Sequence, residues 1–318
     1  MKKQNAKSEN YWLTLGRSIW KYRGIYLLLL PGIVWYIIFS YYPMSGLTLA
    51  FKSYKANLGI FGSPWVGFEN FKYVFRDVRF FESVKTTLVI NLGRMLFSFP
   101  FPIVLALMLN EVRVGWYKKA LQTIFTFPNF LSWVLVSGIL VNFLSLDGFV
   151  NNIVKWMGME AINFLGAPEK FRPMLYITEI WKSSGWSAII YLAAIAGIDT
   201  EQYAAAEIDG ASRIQRIYYV TLPNIASTII VMFILACGNL MTAGFDQVFN
   251  MSNAAVKHVA ETLDMYIYDI TFLSATDFSF STAISLFKSV VNLLLLLGAN
   301  KLLKMTSGSG LFGSSEEE

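Results

Sequence analysis

Six stretches of this 318-residue chain are apolar over at least the length that a helix needs to cross a bilayer: 25–50, 84–109, 119–144, 174–198, 224–246 and 280–300. That length is about 20 residues. A segment facing lipid must satisfy its own backbone polar groups, and a helix does so internally, so all six are expected to be helical. Composition agrees. The chain is 55% hydrophobic and only 15% charged, against about 25% charged in a typical soluble domain. The expected class is an all-α polytopic membrane protein with six transmembrane helices.

The first run follows a basic segment holding Lys2, Lys3, Lys7, Arg17, Lys21 and Arg23. It is too long for a signal-peptide core and no small-residue cleavage pattern follows, so it reads as a retained span. Six spans put both termini on one side. The segments on that side carry thirteen Lys and Arg, the opposite ones nine, which places both termini in the cytoplasm. Residues 1–24 mix these charges with aromatics and fit either an amphipathic segment on the inner leaflet or a disordered tail. The division expected along the chain is 1–24, then 25–79 with the first span and an outer loop, 80–300 as a membrane domain, and a Gly/Ser-rich acidic tail in 301–318. Within 25–79, "WVGFENFKYVF" fits a short helix on the outer surface, inside 63–75. The loop 145–173 is expected to be irregular, and Pro100 and Pro102 to kink the second span.

Much chemistry is excluded. No phosphate-cradling G-x-x-x-x-G-K-[ST] occurs, and His258 and Cys237 stand alone in different segments. Neither a metal set nor a nucleophile–base pair can be written from them. The net charge of +5 is explained by basic cytoplasmic flanks and needs no nucleic acid. Passage of a solute, or scaffolding, remains.

Between the fourth and fifth runs lies "EQYAAAEIDGASRIQRIYYVTLP", 201–223. Asp199 is a good N-cap with Gln202 three residues on. A short helix follows and Gly210 fits its left-handed stop. A second short helix is expected at 212–219, with Pro223 in the first turn of the next span. Together these make an elbow, and Ala204, Ala205 and Ala206 leave it a shallow face.

This stretch resembles the "EAA" loop of ABC importer permeases. Ala205, Ala206, Asp209, Gly210, Ala211, Val220, Leu222 and Pro223 match in order and spacing. The motif's Glu falls at Ala204; whether Glu207, one turn later, replaces it is open. "FPNFLSWVLVSGI", "FDQVFNMSNAAV" and "ETLDMYIYDI" are similar to the subgroup importing oligo- and polysaccharides, alginate among them. The resemblance implies a type I importer permease fold in a bacterial cytoplasmic (inner) membrane. Its implied partners are a second, different permease, two ATPase subunits that bind ATP and Mg, and an extracytoplasmic solute-binding protein. The chain itself would hold no cofactor and catalyse nothing. Its elbow, 199–223, would couple to the ATPase through Ala204, Ala205, Ala206, Glu207, Asp209, Gly210, Ala211, Leu222 and Pro223, with 199–210 as the docking helix.

Charged groups at mid-membrane cost roughly 2.5–3.5 kcal/mol each, so they are expected to face an interior. Glu179, Lys182, Ser183 and Trp186 share a face of the fourth run. Glu179 and Lys182 either pair with each other or meet solute, and Trp186 offers a ring to a sugar. Asn239 and Thr242 suit hydrogen bonds to solute or to neighbouring helices. Arg94 is either held by a structural partner or attracts an anionic sugar. Arg94 and Lys182 are the sole basis in the residues for an acidic solute. The competing reading is a secondary transporter or channel working without ATP. It is disfavoured because Glu179 is the only acid well inside a span.

Overall fold

The computed structural model describes residues 11–274 and 276–307. The expected segments 1–24 and 301–318 lie partly outside these. Among the described residues the chain is helical apart from turns and one isolated bridge, Lys52 with Trp65. After a first helix, α1 (Tyr11–Lys21), five stretches are long and apolar enough to cross a membrane: Arg23–Phe51, Val78–Glu111, Trp133–Trp156, Arg213–Gly238 and Phe278–Met305. The run expected at 174–198 lies in Pro168–Ala196, a helix of 29 residues. It is long enough to span but more polar than the five.

Arg23–Phe51 forms α2, and none of its first half, Arg23–Tyr36, is buried. A short surface helix follows at Glu69–Val74, inside the expected 63–75. The second span is two helices, α3 (Val78–Phe97) and α4 (Pro100–Glu111). Pro100 cannot donate to the helix ladder, and the Arg94 carbonyl accepts from both Ser98 and Phe99 at 2.7 and 3.0 Å. The helix ladder is interrupted at Ser98 and Phe99, just before the prolines expected to disturb it.

Four expectations need correction. The run 119–144 is not one helix. α5 (Gly115–Thr126) ends in a tight turn, Phe127–Phe130, and α6 (Trp133–Leu144) starts afresh on a Ser132 cap. Pro128 removes a donor just where the ladder would continue. The loop 145–173 is partly regular. It contains α7 (Phe149–Trp156), and α8 (Pro168–Ala196) begins within it on a favourable N-terminal proline. Finally, no separate helix occupies 212–219. After α9 (Thr200–Ile208), residues Arg213–Gly238 form one continuous helix, α10. A widened turn at Ile217–Thr221 precedes Pro223 and accommodates a residue that cannot donate. α10 also stops eight residues short of the expected 246. Residues 239–244 are irregular and Gly244 is left-handed, with φ of 65°. The chain resumes in α11 (Phe245–Met251), α12 (Leu263–Tyr268) and α13 (Phe278–Ser307).

α8 is the central helix. It contributes Phe171, Met174 and Leu175 to one buried cluster, and Ala188, Tyr191 and Ile195 to a second that also holds Leu105, Leu109 and Ile225. A third cluster joins α2, α3, α12 and α13 through Ala50, Phe80, Leu263, Tyr266 and Ile284. Backbones approach closely at Gly185, where a Cβ would lie 2.0 Å from the Phe125 carbonyl oxygen. Small residues at such crossings are what membrane helix packing favours.

Gly185→Ala is expected to lower detergent stability by about 1–3 kcal/mol through overpacking. Gly138→Ala, with nothing within 4 Å of the new methyl, should change it little. Thermal unfolding of the purified assembly checks both.

Candidate functional site: a midspan cavity and a connecting elbow

The end of α10 and the chain after it, 239–244, pack against Asn91 of α3 and Asn292 of α13. Each asparagine lies about 20 Å along its span at 1.5 Å per residue. Non-helical backbone at that depth must find partners within the protein. Asn91 Nδ2 donates to the Leu240 carbonyl at 2.7 Å, and Arg94 Nη1 to the Ala243 carbonyl at 2.6 Å. Asn292 Oδ1 accepts from the Met241 amide at 2.9 Å, and its Nδ2 reaches Thr242 Oγ1 at 3.2 Å. Arg94 Nη2 also donates to Gln247 Oε1. Gln247, fully buried, is held through its Nε2 by the Leu175 carbonyl and Thr178 at 2.8 and 2.9 Å. The break is therefore clamped from three helices.

The clamp opens a cavity of about 400 Å³ between α3, α4, α8 and α10. Its polar lining includes Ser98, Glu179, Ser183, Ser187, Asn239 and Thr242, with Arg94 and Asn91 at one wall. Glu179 Oε1 accepts from Ser183 Oγ at 2.8 Å. Of the expected solute-path residues the structure brings together Arg94, Glu179, Ser183, Asn239 and Thr242. It does not bring Lys182 or Trp186 to this cavity. Lys182 is buried, donates to the Asn129 carbonyl at 2.9 Å and sits over the Trp133 ring. The Pro128 turn leaves that carbonyl free, so the Glu179–Lys182 pair does not form. Trp186 is half exposed and packs edge-on against Phe130. A 3.6-residue period groups these residues, but the turn at 127–132 captures two of them from outside the cavity. Gln247 and Asn292 escaped the sequence reading. An isolated asparagine in the middle of 280–300 was the available signal for one of them.

The elbow joins α8 to α10. The Asp199 side chain accepts from the Glu201 amide at 2.9 Å, as expected of a cap. Gln202 does not close a capping box there and instead accepts from Asn224 at 2.8 Å. The reciprocal box is at Ser212 and Gln215. Gly210 has φ of 78° and ends the helix as expected. Tyr203 bonds Thr221 at 3.0 Å, and Arg216 holds Glu207 at 3.0 Å. Ala204, Ala205, Asp209 and Pro223 are exposed, while Ala206, Ala211 and Leu222 are half-buried. Ile208 and Ile214 are 87% and 78% exposed, an apolar surface on the outside of the bend.

Residues 99–302 match the family model of the binding-protein-dependent transport system inner membrane component. That match takes in the elbow and most of the cavity. The chain belongs to this family. It is 43% identical to Protein LplB of Bacillus subtilis (strain 168), over 96% of this chain and 95% of that one. It is 42% identical to the polygalacturonan/rhamnogalacturonan transport system permease protein YteP of the same organism, over 91% and 90%. Among solved structures it resembles a bacterial ABC transporter involved in the import of the acidic polysaccharide alginate, at 38% identity and a TM-score of 0.85. That likeness covers 92% of this chain and 99% of the other. The chain is thus an inner-membrane permease component, and its fold is that of these importers.

Removing a clamp residue should cost stability. Asn91→Leu or Arg94→Leu leaves buried carbonyls unpaired, worth about 1–3 kcal/mol each. The melting temperature of the purified assembly should fall for both, and hardly at all for Ser187→Ala, which borders the cavity without bracing the break.

Proposed function

We propose that this permease is one of two different membrane subunits of an ATP-driven importer of oligo- or polysaccharide. It would work with two ATPases carrying ATP and Mg and with an extracytoplasmic solute-binding protein. Family membership carries this reading. The solved relative captured with an alginate pentasaccharide-bound periplasmic protein supports the binding-protein partnership and the saccharide class. ATP hydrolysis belongs to the partner subunits; the chain contributes the passage. Both termini lie in the cytoplasm, the elbow faces the ATPase, and 80–300 forms the transporter domain.

The cavity supplies the midspan station of the solute path, where Ser187, Asn239 and Thr242 exchange hydrogen bonds with sugar hydroxyls. The elbow is the coupling element. Its Gly210 turn fixes α9 against α10, and exposed Ile208 and Ile214 give an ATPase cleft something apolar to grip. Glu207 holds Arg216 through Oε2 and braces the bend, while its side chain, 73% exposed, keeps its other oxygen open to a partner.

Gly210→Val isolates the coupling role. Nothing lies within 4 Å of a Cβ there, so the substitution adds strain without a clash, roughly 1–2 kcal/mol for a left-handed residue. The variant should assemble, yet lose most solute-stimulated ATP hydrolysis while basal hydrolysis persists. Full stimulation in an assembled variant would refute the coupling role. Uptake by this chain and the ATPase without a second permease would refute the heterodimer.

A further inference from the structure

We infer that a second pocket, between the N-terminal ends of α3 and α8, is an outer station of the solute path that takes a uronate unit, its carboxylate on Arg172 and its hydroxyls on Glu82. The inference rests on the saccharide reading above and names the class of sugar. The pocket holds about 330 Å³ and is closed by the chain ahead of α12. Small-molecule sites have volumes of roughly 300–1,000 Å³. The pocket and the elbow stand at opposite ends of α8, so with the elbow in the cytoplasm the pocket is extracytoplasmic. Arg172, Glu179 and Ser183 recur at i, i+7 and i+11, one face of α8. Arg172 lines the outer pocket and the other two line the midspan cavity, which lies about 10 Å further in at 1.5 Å per residue.

Arg172 differs from Arg94, whose Nη atoms hold the backbone break. Arg172 makes no hydrogen bond or ion pair among the described residues, and its Nε is buried without a partner. Ser83 Oγ is buried and unpartnered too. Lys85, on the same pocket, is exposed and in no ion pair. The acids nearby leave these cations free. Glu261 gives both its oxygens to Arg79, at 3.0 and 2.6 Å. Glu82 is in no ion pair, and His258 completes the lining. The pocket therefore offers an unspent guanidinium and an unspent carboxylate side by side. A uronate unit uses both. Its carboxylate suits the fork of N–H donors that only Arg presents. Its hydroxyls need an acceptor, which Glu82 supplies. A neutral sugar leaves Arg172 without an anion, and a simple anion leaves Glu82 facing a like charge. The bound unit also gives the buried Arg172 Nε and Ser83 Oγ the partners they lack, which removes the cost of leaving them unsatisfied.

The test compares an oligogalacturonate pentamer with its carboxyl-reduced neutral counterpart, which share linkage and stereochemistry. Uptake is measured in proteoliposomes holding the complete importer with saturating binding protein, for wild type, Arg172→Gln and Arg172→Lys. Arg172 holds no protein group, so the melting temperature of the Arg172→Gln assembly should match wild type. Uronate uptake should fall about tenfold in Arg172→Gln, as expected for losing a charge-assisted pair, and less in Arg172→Lys, while neutral uptake falls far less in both. Uronate uptake unmoved by Arg172→Gln overturns the inference. So does an equal loss of both pentamers, the mark of a contact with the binding protein or of a structural role, and so does a wild type that accumulates the neutral pentamer alone. Failure of the wild-type importer to accumulate any saccharide on ATP addition would count instead against the function proposed above.

Discussion

The irregular backbone at 239–244 is the constraint around which the membrane domain is arranged. Hydrocarbon offers no partners to a free amide or carbonyl, so a helix may stop at midspan only where protein receives it. Asn91, Arg94 and Asn292 receive it here. Gln247 then ties the guanidinium to α8 through Leu175 and Thr178. These side chains cross three helix boundaries to serve one break. The cavity lies beside the last turns of α10, lined by Met232, Leu235 and Ala236, and reaches past its end at Gly238 to Asn239 and Thr242. The polar groups most visible in the apolar runs are therefore divided in purpose. Some hold the break, and only the remainder face the opening.

The same geometry links the cavity to the elbow. α8 and α10 form two of its walls and are the two helices that the elbow joins. Beneath the elbow, Ile195 and Ile225 share one buried cluster with Leu105 and Leu109. The Gly210 turn, the Ser212–Gln215 box and the Glu207–Arg216 pair make the connection stiff. On the coupling role proposed for the elbow, a force applied at the exposed Ile208 and Ile214 would reach both walls together.

Much of this was legible in the sequence because bilayer length and backbone satisfaction act locally. The helical class, the ladder interruption before Pro100 and Pro102, the Asp199 cap and the Gly210 stop all follow from residues within one or two turns. The elbow's resemblance to importer permeases was carried by spacing from Gly210 to Pro223, again local. What was not legible depends on partners distant in sequence. The end of α10 at Gly238 was hidden in a run that stays apolar to 246. Its acceptability depends on Asn91 and Asn292, 149 and about 50 residues away. Lys182 and Trp186 were placed on a solute face by periodicity alone. Close approach at Gly185 brings the Pro128 turn against that face, and both side chains are taken up by Asn129 and Phe130.

A double-mutant cycle between Arg94 and Gln247 in the assembled importer tests the central claim most directly, namely that the guanidinium holds the backbone break rather than a solute. Unfolding free energies of Arg94→Leu, Gln247→Leu and the double variant give the coupling between the two side chains. The account predicts a favourable coupling of about 1–3 kcal/mol, as expected for contacting groups in one buried network. A coupling indistinguishable from zero, with Arg94→Leu as stable as wild type and defective only in uptake, would contradict it.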